Sequence, residues 1–460
     1  ASRYTEAKLD SICNELFADI DKDTVDFQDN YDGSMKEPSL LPVRFPSILL
    51  NSNIGIAVSM ASAICPFNLE ELCDTTIAMM KNADHDLLTT LTAPDFPGGG
   101  YILYNETELR KIYETGRGGV RVRARYNYDK ASNCLEITEI PPTTTVEVII
   151  DKIVELVKNG KMREIADIRD ETDLSGLKIA IDLKRGVDPD KLMQKLFRMT
   201  PLEDTMSCNF NVLIGGYPRV MGVRELLEEW IAFREECVKR RVYFDLKKKK
   251  EKLHLLQGLA KILLDIDKAI HIIRQTEEES EVVMNLMIGF GIDEIQAEYV
   301  AEIKLRHLNR EYILKRTDET QSLKEEIAQM EEILGDQKKV RGIIVSELQE
   351  IKKKYAQPRH SLILYDVQPA REEAEEETPD YPVHLFFTRE GYFKKITPQS
   401  LRMSSEQKLK EGDEILSEIE STNRAHLLFF TDRQQVYKSH AYDFDDTKAS
   451  VMGDYVPAKL

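Results

Sequence analysis

The 460-residue sequence has few of the features that mark secreted, metal-binding or membrane proteins. Its six cysteines form no C-x-x-C pair, and no histidine cluster has zinc-ligand spacing, so neither a disulfide framework nor a metal site is expected. We find no signal-peptide pattern, and no apolar run approaches the ~20 residues that a bilayer span needs. These absences predict reduced, mostly buried thiols in a cytosolic protein without a membrane partner.

The sequence also lacks an excess of basic charge. It has 81 Asp and Glu residues against 63 Lys and Arg residues, a net charge of -18. As a sum this charge argues against a nucleic-acid partner, because phosphate binding depends on positive charge. However, much of the acid lies at 371–380 and on predicted long helices, whereas basic residues cluster at Arg44, at 117–125 and at 247–250. Local basic surfaces therefore remain available.

The first 22 residues show the spacing of a helix. Apolar residues recur every three or four positions, at Leu9, Ile12, Cys13, Leu16, Phe17 and Ile20. This pattern predicts one amphipathic helix, with Arg3 and Tyr4 at or just before its first turn. A helix N-terminus beside a cation favours an anion such as phosphate, although a tyrosine near a terminus is more often structural. The abrupt start at Ala1 suggests a fragment.

Ordered motifs follow this segment. After R-Y-T-E at 3–6 come T-V-D-F-Q-D-N-Y-D-G at 24–33, L-P-V-R-F-P-S-I-L-L-N at 41–51 and G-I-A-V-S-M-A at 55–61. In these motifs, and onward to about residue 356, the sequence resembles the A subunit of bacterial type IIA topoisomerases, DNA gyrase and topoisomerase IV. It departs from the family pattern at Cys65-Pro66-Phe67-Asn68, where Pro-Pro-His-Asn is usual, and at Ser52 and Ser59, where glycine is common.

The resemblance assigns roles to individual residues. Tyr4 would be the catalytic tyrosine, with Arg3 as its phosphate-binding neighbour. Ile56 would be the wedge that enters between two base pairs and bends DNA, whereas the alternative is an ordinary core isoleucine. Further DNA-binding residues would be Arg44, Asn51, Arg117, Arg121, Arg123 and Arg125. Positions 121, 123 and 125 share one strand face at period two, which also fits a solvated edge strand.

The implied reaction is transient cleavage of both DNA strands. A free phenol has a pKa near ~10 and needs help to become a nucleophile, and an arginine is too basic to act as its base. In the family, Mg2+ is bound mainly by the partner B subunit, which also binds ATP. Two Tyr4 residues of a dimer would each form a 5'-phosphotyrosyl link, a second duplex would pass through, and the break would be resealed.

The resemblance also implies partners and a location. These are double-stranded DNA, a second copy bound through an exit gate, and the B subunit in an A2B2 complex, in the cytoplasm and associated with the bacterial chromosome. The alternative is a non-catalytic, dimeric coiled-coil DNA-binding scaffold. Heptads and a basic strand fit both functions, and R-Y-T-E favours the enzyme.

The expected fold is multidomain α+β. Its predicted parts are the C-terminal part of a winged-helix domain at 1–40, lacking the segment before Tyr4; an α/β tower domain at 41–222; a long antiparallel coiled coil at 223–356, with a helical dimerisation knob at about 276–320; an acidic linker at 357–381; and the start of an all-β pinwheel at 382–460.

Heptad spacing supports the coiled coil. One seam runs through Leu256, Leu259, Leu263, Ile266, Ile270 and Ile273, and a second through Leu323, Ile327, Met330, Leu334, Ile344, Leu348, Ile351 and Tyr355. The second seam is interrupted at Gly335-Asp336. The basic run 247–250 is interpreted as a solvated face of this coil.

A repeat in the last 80 residues supports the pinwheel. Phe386-Phe387-Thr388 with Tyr392 recurs as Phe429-Phe430-Thr431 with Tyr437. Gyrase A subunits carry a Q-R-R-G-G-K-G type box near the first blade, and the comparable stretch at 402–414 lacks it. This difference slightly favours topoisomerase IV-like relaxation or decatenation.

Overall fold

The computed structural model describes residues 6–58, 60–304, 309–365, 380–403 and 406–459. The chain forms two compact units, Ala1–Asp366 and Val367–Leu460. Arg3, Tyr4 and Ser59 lie outside the described residues, as does most of the predicted acidic linker. Among the described helices, none combines the length and apolarity that crossing a membrane requires. The predicted mixed α+β fold is confirmed.

The first part of unit 1 alternates short strands and helices. In chain order it contains β1 (Phe27–Asp29), β2 (Lys36–Pro38), β3 (Asn53–Ala57), β4 (Met60–Ile64), α1 (Leu69–Lys81), β5 (Tyr101–Leu103), α2 (Glu106–Thr115), β6 (Arg117–Arg123), β7 (Arg125–Asp129), β8 (Cys134–Glu139), α3 (Val146–Lys158), β9 (Ile165–Asp170), β10 (Ile179–Leu183), α4 (Pro189–Met199), β11 (Glu203–Asn209), β12 (Asn211–Ile214) and β13 (Tyr217–Val220).

The second part of unit 1 is mainly helical. It contains α5 (Val223–Leu263), α6 (Ile266–Gln275), α7 (Val282–Phe290), α8 (Glu294–Ala301), α9 (Arg310–Gly335), α10 (Gln337–Tyr355) and one strand, β14 (Leu362–Leu364). The strands of unit 1 form two larger sheets, with orders β14-β5-β6-β11-β4-β3 and β7-β8-β10-β9. The chain passes from one sheet to the other at Ala124, which is fully buried.

The N-terminal segment differs from its prediction. A 3-10 turn, Ser11–Glu15, takes the place of the expected amphipathic helix, and the Asp10 carboxylate caps it by accepting from the Ile12 N–H at 3.1 Å. Asp19 and Asp23 have left-handed φ values of 61° and 54°, which an α-helix does not accommodate. The helix prediction was wrong because apolar spacing alone does not register these aspartate turns.

Side-chain caps fix where the helices next to the larger sheet begin. Asn68 accepts from the Glu70 N–H at 3.0 Å to start α1, and Asn105 accepts from the Glu108 N–H at 3.2 Å to start α2. Helix α2 ends at Gly116, whose backbone is left-handed and whose N–H reaches the Ile112 carbonyl. These caps place both helices against a shared apolar core that also includes β6 and β11.

Gly116 is a position where a side chain would not fit. Its φ is +70°, and an added Cβ would lie 2.3 Å from the Met221 carbonyl oxygen. We expect Gly116→Ala to lower the free energy of unfolding by about 2–4 kcal/mol, combining backbone strain with overpacking. Gly215 is the control: its φ is +58° and nothing lies within 4 Å of its added Cβ, so Gly215→Ala measures the cost of backbone strain alone. Urea unfolding should show a loss of only about 1–2 kcal/mol for Gly215→Ala; equal losses for the two variants would contradict the close-contact explanation.

Helices α5 and α9 form an antiparallel arm. Lys249 pairs with Glu326 and Lys250 with Glu331, each at 2.5 Å, while Lys252 pairs with Glu319 nearer the far end of the arm. The predicted basic run thus lies along α5, with two of its lysines paired to α9 glutamates.

The first heptad seam is shorter than predicted. Helix α5 ends at Leu263, and Asp265 caps a separate helix, α6. Leu256 and Leu259 are buried in the arm, whereas Ile270 and Ile273 are 37% and 41% exposed. The prediction of one continuous seam from Leu256 to Ile273 was wrong, since a helix cap at Asp265 interrupts it.

The second seam breaks where expected. Helix α9 ends at Gly335, and the Asp336 carboxylate accepts from the Lys338 N–H at 2.8 Å to start α10. Between the arm helices, α6, α7 and α8 pack around a small core with Leu286 and Ala297 at its centre.

Strand β14 returns the chain to the larger sheet. It pairs in parallel with β5, with Leu362 opposite Tyr101. The Asp95 carboxylate accepts from the backbone N–H groups of His360 and Ser361 at 2.9 and 2.8 Å. Residues 357–365, which the sequence analysis placed in a linker, are therefore part of unit 1.

Unit 2 contains β15 (Pro382–Thr388), β16 (Tyr392–Ile396), α11 (Pro398–Met403), β17 (Ile415–Thr422), β18 (His426–Phe430), β19 (Val436–His440), β20 (Asp454–Tyr455) and α12 (Val456–Lys459). Its strands form a four-stranded sheet of order β17-β15-β16-β20 and a separate β18-β19 hairpin. The two copies of the sequence repeat thus correspond to the hairpins β15-β16 and β18-β19. Their aromatic rings meet in one core, where Phe429 lies 6.0 Å from Phe387 and 5.9 Å from Phe393 between ring centroids.

Candidate nucleic-acid interface

The β3-β4 hairpin presents apolar side chains to solvent at one edge of the larger sheet. Ile56 lies opposite Ala61 in the hairpin register and is 89% exposed. Ile54, Val58 and Met60 are also exposed. Ile56 is thus not a core residue, and a row of exposed aliphatic side chains on an edge strand marks an interaction surface.

A second hairpin, β12-β13, lies beside the first. Together they border a shallow hollow of about 290 Å³, lined by Ile56, Met60, Leu213 and Pro218 among others. The Asn209 side-chain amide donates to the Ala61 carbonyl at 2.8 Å, which ties the strand before β12 to β4. The exposed isoleucine is therefore carried on a supported hairpin.

The predicted basic strand carries its own counter-charges. Glu203, on the neighbouring β11, accepts from Arg121 Nε at 2.8 Å and from Arg123 Nε at 2.6 Å. Arg125 lies on β7 in the other sheet, and its Nη1 atom is 3.2 Å from Glu139. Arg121 and Arg123 thus share one strand, but the prediction of a single basic strand face that includes Arg125 was wrong, because the chain changes sheets at Ala124. Each of the three arginines has a carboxylate partner. Local sequence patterns do not reveal Glu203 and Glu139 as partners, because only strand pairing brings them to the arginines.

The remaining predicted DNA-binding residues occupy different surroundings. Arg117 and Asn51 are exposed. Asn51 lines a cavity of about 630 Å³ together with Ser11, Lys354 and His360 among others. Arg44 instead contacts two carboxylates, Asp19 at 2.7 Å and Glu15 at 3.4 Å.

Arg44 belongs to a network of charged side chains that the sequence did not predict. The network consists of Asp19, Arg44, Arg234, Arg241 and Glu347, and it joins the N-terminal segment to α5 and α10. Arg234, 1% exposed, donates to Glu347 at 2.7 Å and to the Pro42 carbonyl at 3.0 Å. Burial acts to raise the pKa of Asp19 and of Glu347, but the neighbouring arginines outweigh it and hold both pKa values below their usual range.

In the described part of the chain, neither the cysteine thiols nor the potential metal ligands form a second candidate reactive site. All six cysteines are unpaired, and burial raises the pKa of the Cys73 thiol to about 12, which disfavours the reactive thiolate. Within the described residues, no group of three or more His, Cys, Asp or Glu side chains could hold a metal ion.

Comparison of the sequence with known proteins assigns the chain to a family. The family model for the A subunit of DNA gyrase/topoisomerase IV matches residues 1–349. The DNA gyrase A subunit of Borreliella burgdorferi is 34% identical over 99% of this chain, and that of Clostridium acetobutylicum is 35% identical over 99%. The chloroplastic/mitochondrial DNA gyrase A subunit of Arabidopsis thaliana is 36% identical over 98% of the chain.

The chain covers 58%, 56% and 49% of the lengths of these three relatives, respectively. The match includes R-Y-T-E at 3–6 as well as the exposed hairpin and most of the arm. The chain belongs to the family of DNA gyrase/topoisomerase IV A subunits.

Proposed function

We propose that this chain is the breakage-reunion part of an ATP-dependent type II DNA topoisomerase. It would cut both strands of a duplex through 5'-phosphotyrosyl links, let a second duplex pass, and reseal the break. Family membership and R-Y-T-E at 3–6 support the nucleophile assignment. Trapping DNA covalently on this polypeptide, and losing that product in Tyr4→Phe, is the test.

The observation that carries the proposal is the exposure of Ile56 on a supported hairpin. Inserting an aliphatic side chain between base pairs costs a few kcal/mol of unstacking, which the contacts of a bent duplex offset. A side chain suited to this role must project from the surface, and neighbouring elements must hold its backbone in place. Ile56 is exposed, β4 pairs with its strand, and β12 and β13 border the hollow beside it.

The proposed chemistry conserves the energy of the phosphodiester. The Tyr4 phenolic oxygen attacks phosphorus, its proton leaves, and the bond to the 3'-oxygen breaks to release a 3'-hydroxyl. Attack by that hydroxyl on the phosphotyrosine reverses the step and restores the strand. Arg3 would stabilise the charge that develops on the phosphate, as a guanidinium does through its fixed donors.

Mg2+ and ATP enter this proposal through the partner B subunit. In the described part of this chain, the acidic side chains do not assemble into a metal-binding group. We assign both cofactors to the B subunit, as the family resemblance implies. When bound by the complex, Mg2+ would neutralise phosphate charge and ATP would drive strand passage.

The proposed DNA contacts are Ile56, Asn51, Arg117, Arg121, Arg123 and Arg125. The last three would exchange Glu203 or Glu139 for phosphate oxygens, so their contribution depends on displacing a carboxylate. Arg44 is not included, because its guanidinium is bound by Asp19 and Glu15.

Two protein partners belong to the proposal. A second copy would bind through the knob, where Met284, Ile288 and Ile295 are exposed on α7 and α8. The B subunit would complete an A2B2 complex in the cytoplasm, on the bacterial chromosome.

The direction of the topological change is not part of the proposal. The three relatives are all named as DNA gyrase A subunits, so they give no support to the expected topoisomerase IV-like preference. A non-catalytic scaffold is not favoured, because the family match includes R-Y-T-E.

Replacing Ile56 tests the wedge. We expect Ile56→Ala in the intact subunit to lower DNA cleavage by about 10- to 100-fold, since inserting an isoleucine side chain contributes about 1.5–3 kcal/mol. Thermal stability should not change, because the side chain is exposed. Detergent-trapped cleavage and DNA bending, measured by energy transfer between end labels, would report the effect.

Leu174 supplies the matched control. It is an exposed aliphatic residue between β9 and β10, away from the β3-β4 hairpin. Leu174→Ala should cleave and bend DNA like the wild type. Unchanged bending in Ile56→Ala would exclude the wedge role.

A further inference from the structure

The segment that follows Tyr4, residues 6–26, makes many polar contacts with other elements, in addition to the apolar packing of the buried Val25. It contains a single 3-10 turn, and its residues Ile12 and Leu16 are only partly buried. A stretch with so little regular structure takes its position from the groups that bind it. Contacts that hold this segment therefore limit how far the chain that leads to Tyr4 can reach.

Asp19 is the centre of these contacts. One of its carboxylate oxygens lies 2.7 Å from Arg44 Nη2 and 2.9 Å from Arg241 Nη1, and the other lies 3.4 Å from Lys22 Nζ. Its backbone has the left-handed φ of 61°, which is uncommon for a residue other than glycine. Such a conformation persists when the surroundings hold it, and here three cations do so.

Arg241 connects Asp19 to the base of the arm. The same Nη1 atom that reaches Asp19 lies 2.7 Å from Glu347 on α10, and Glu347 in turn binds Arg234 on α5. These side chains are mostly buried, so water and salt weaken their attraction less than at the surface. The position of Asp19 is thus coupled to the packing of α5 against α10.

Tyr355 supplies a second anchor, at residues that are closer to Tyr4 in the sequence. It is the last residue of α10, and its hydroxyl lies 3.1 Å from the Ser11 carbonyl and 3.2 Å from Glu15 Oε1. Lys354 adds a longer contact to Glu15 at 3.5 Å. The segment is therefore bound to helices of the arm from Ser11 and Glu15 to Asp19.

We propose that Asp19 and Tyr355 are positioning residues for the Tyr4 nucleophile, coupling its placement to the junction of α5 and α10. This inference rests on the proposed function. A shift of either arm helix would move the segment through Arg241 or through the Tyr355 hydroxyl. The state of the arm would thereby set how well the phenol is aligned with the scissile phosphate, without contact between the arm and DNA.

Asp19→Asn is the first test. Asparagine has the same size and tolerates a left-handed φ, but it removes the negative charge that binds Arg44 and Arg241. In the intact subunit with Mg2+ and the partner B subunit, we expect the single-turnover cleavage rate at saturating DNA to fall about 10- to 100-fold, the effect of a small misplacement of a reacting group. The dissociation constant for DNA should stay the same. Asp182→Asn is the control, since Asp182 binds Arg169 at 2.6 Å in the smaller sheet.

Tyr355→Phe is the second test and removes a single hydroxyl, so it keeps the proposal testable if Asp19→Asn fails to fold. We expect a fall of about threefold or more in the same rate, in line with the loss of one hydrogen bond. Tyr128→Phe is the control, because the Tyr128 hydroxyl binds Asn133 at 2.8 Å within the smaller sheet. Both control variants should cleave at the wild-type rate.

The rate at saturating DNA separates positioning from folding. A merely structural role would reduce the fraction of active dimers and hence the amplitude of cleavage, with the rate unchanged. That result, or wild-type rates in both variants, would overturn the inference while the proposed function stands. A wild-type subunit that forms no covalent complex would instead overturn the proposed function, and the inference with it.

Discussion

The intact subunit carrying Tyr4→Phe, incubated with its B subunit, Mg2+ and duplex DNA and then quenched with detergent, is expected to yield no DNA linked to this polypeptide. Phenylalanine keeps the aromatic ring but has no oxygen that could attack phosphorus, so the covalent intermediate cannot form. Relaxation of supercoiled DNA should be lost together with the trapped product. Gel analysis of protease-treated and untreated samples would measure both.

Tyr31→Phe is the matched control for this experiment. Tyr31 lies in the turn between β1 and β2, in the same N-terminal region, and its side chain is 97% exposed. We expect Tyr31→Phe to trap as much DNA as the wild type, with the link mapping to Tyr4. Covalent DNA on the Tyr4→Phe polypeptide would show that another residue is the nucleophile.

Removing Arg234 should cause the largest loss of stability in unit 1. Arg234→Met leaves the Pro42 carbonyl without its donor and leaves Glu347 with fewer positive partners in a buried setting. Breaking one side of a buried ion pair costs about 3–5 kcal/mol, because a charge remains without full compensation. Urea unfolding followed by circular dichroism would measure the change. A loss under about 1 kcal/mol would mean that water replaces the guanidinium.

Arg169→Met is the surface counterpart of that variant. Arg169 also binds several carboxylates, but its side chain is 43% exposed. The expected loss is within about 1 kcal/mol, since exposed pairs contribute little. The double variant Arg234→Met with Glu347→Met should recover part of the single-variant loss, because it removes the uncompensated Glu347 charge while Arg241 keeps Asp19 as its partner.

The sequence predicted the helical arm well because a helix produces a local repeat of apolar residues that can be recognised in the sequence. The heptad spacing located α5, α9 and α10, and the Gly335-Asp336 break falls where α9 ends. The same periodicity overran the end of α5, because the Asp265 cap interrupts the helix without changing the apolar pattern. In the N-terminal segment, apolar spacing predicted a helix that Asp10 and Asp19 replace with turns.

Candidate site residues could be predicted where they belong to a sequence motif. Their ion-pair partners could not, because strand pairing in the folded chain brings those partners in. The G-I-A-V motif predicted Ile56 as a candidate contact, whereas its exposure is visible only in the folded hairpin. Arg123 meets Glu203 at a separation of 80 residues, so local sequence patterns reveal the arginine and not its partner. Arg44 was assigned to DNA for the same reason, since Asp19 and the arm that surrounds it converge only in the folded chain.

The return of the chain to the sheet at β14 determines where a shortened protein can end. A truncation after the last arm helix, at the boundary suggested by composition, would remove a strand from the sheet edge. It would also deprive the Asp95 carboxylate of two backbone donors and the Phe96 N–H of its Ser361 acceptor. A minimal version of this unit for crystallisation or labelling must therefore extend through Leu364.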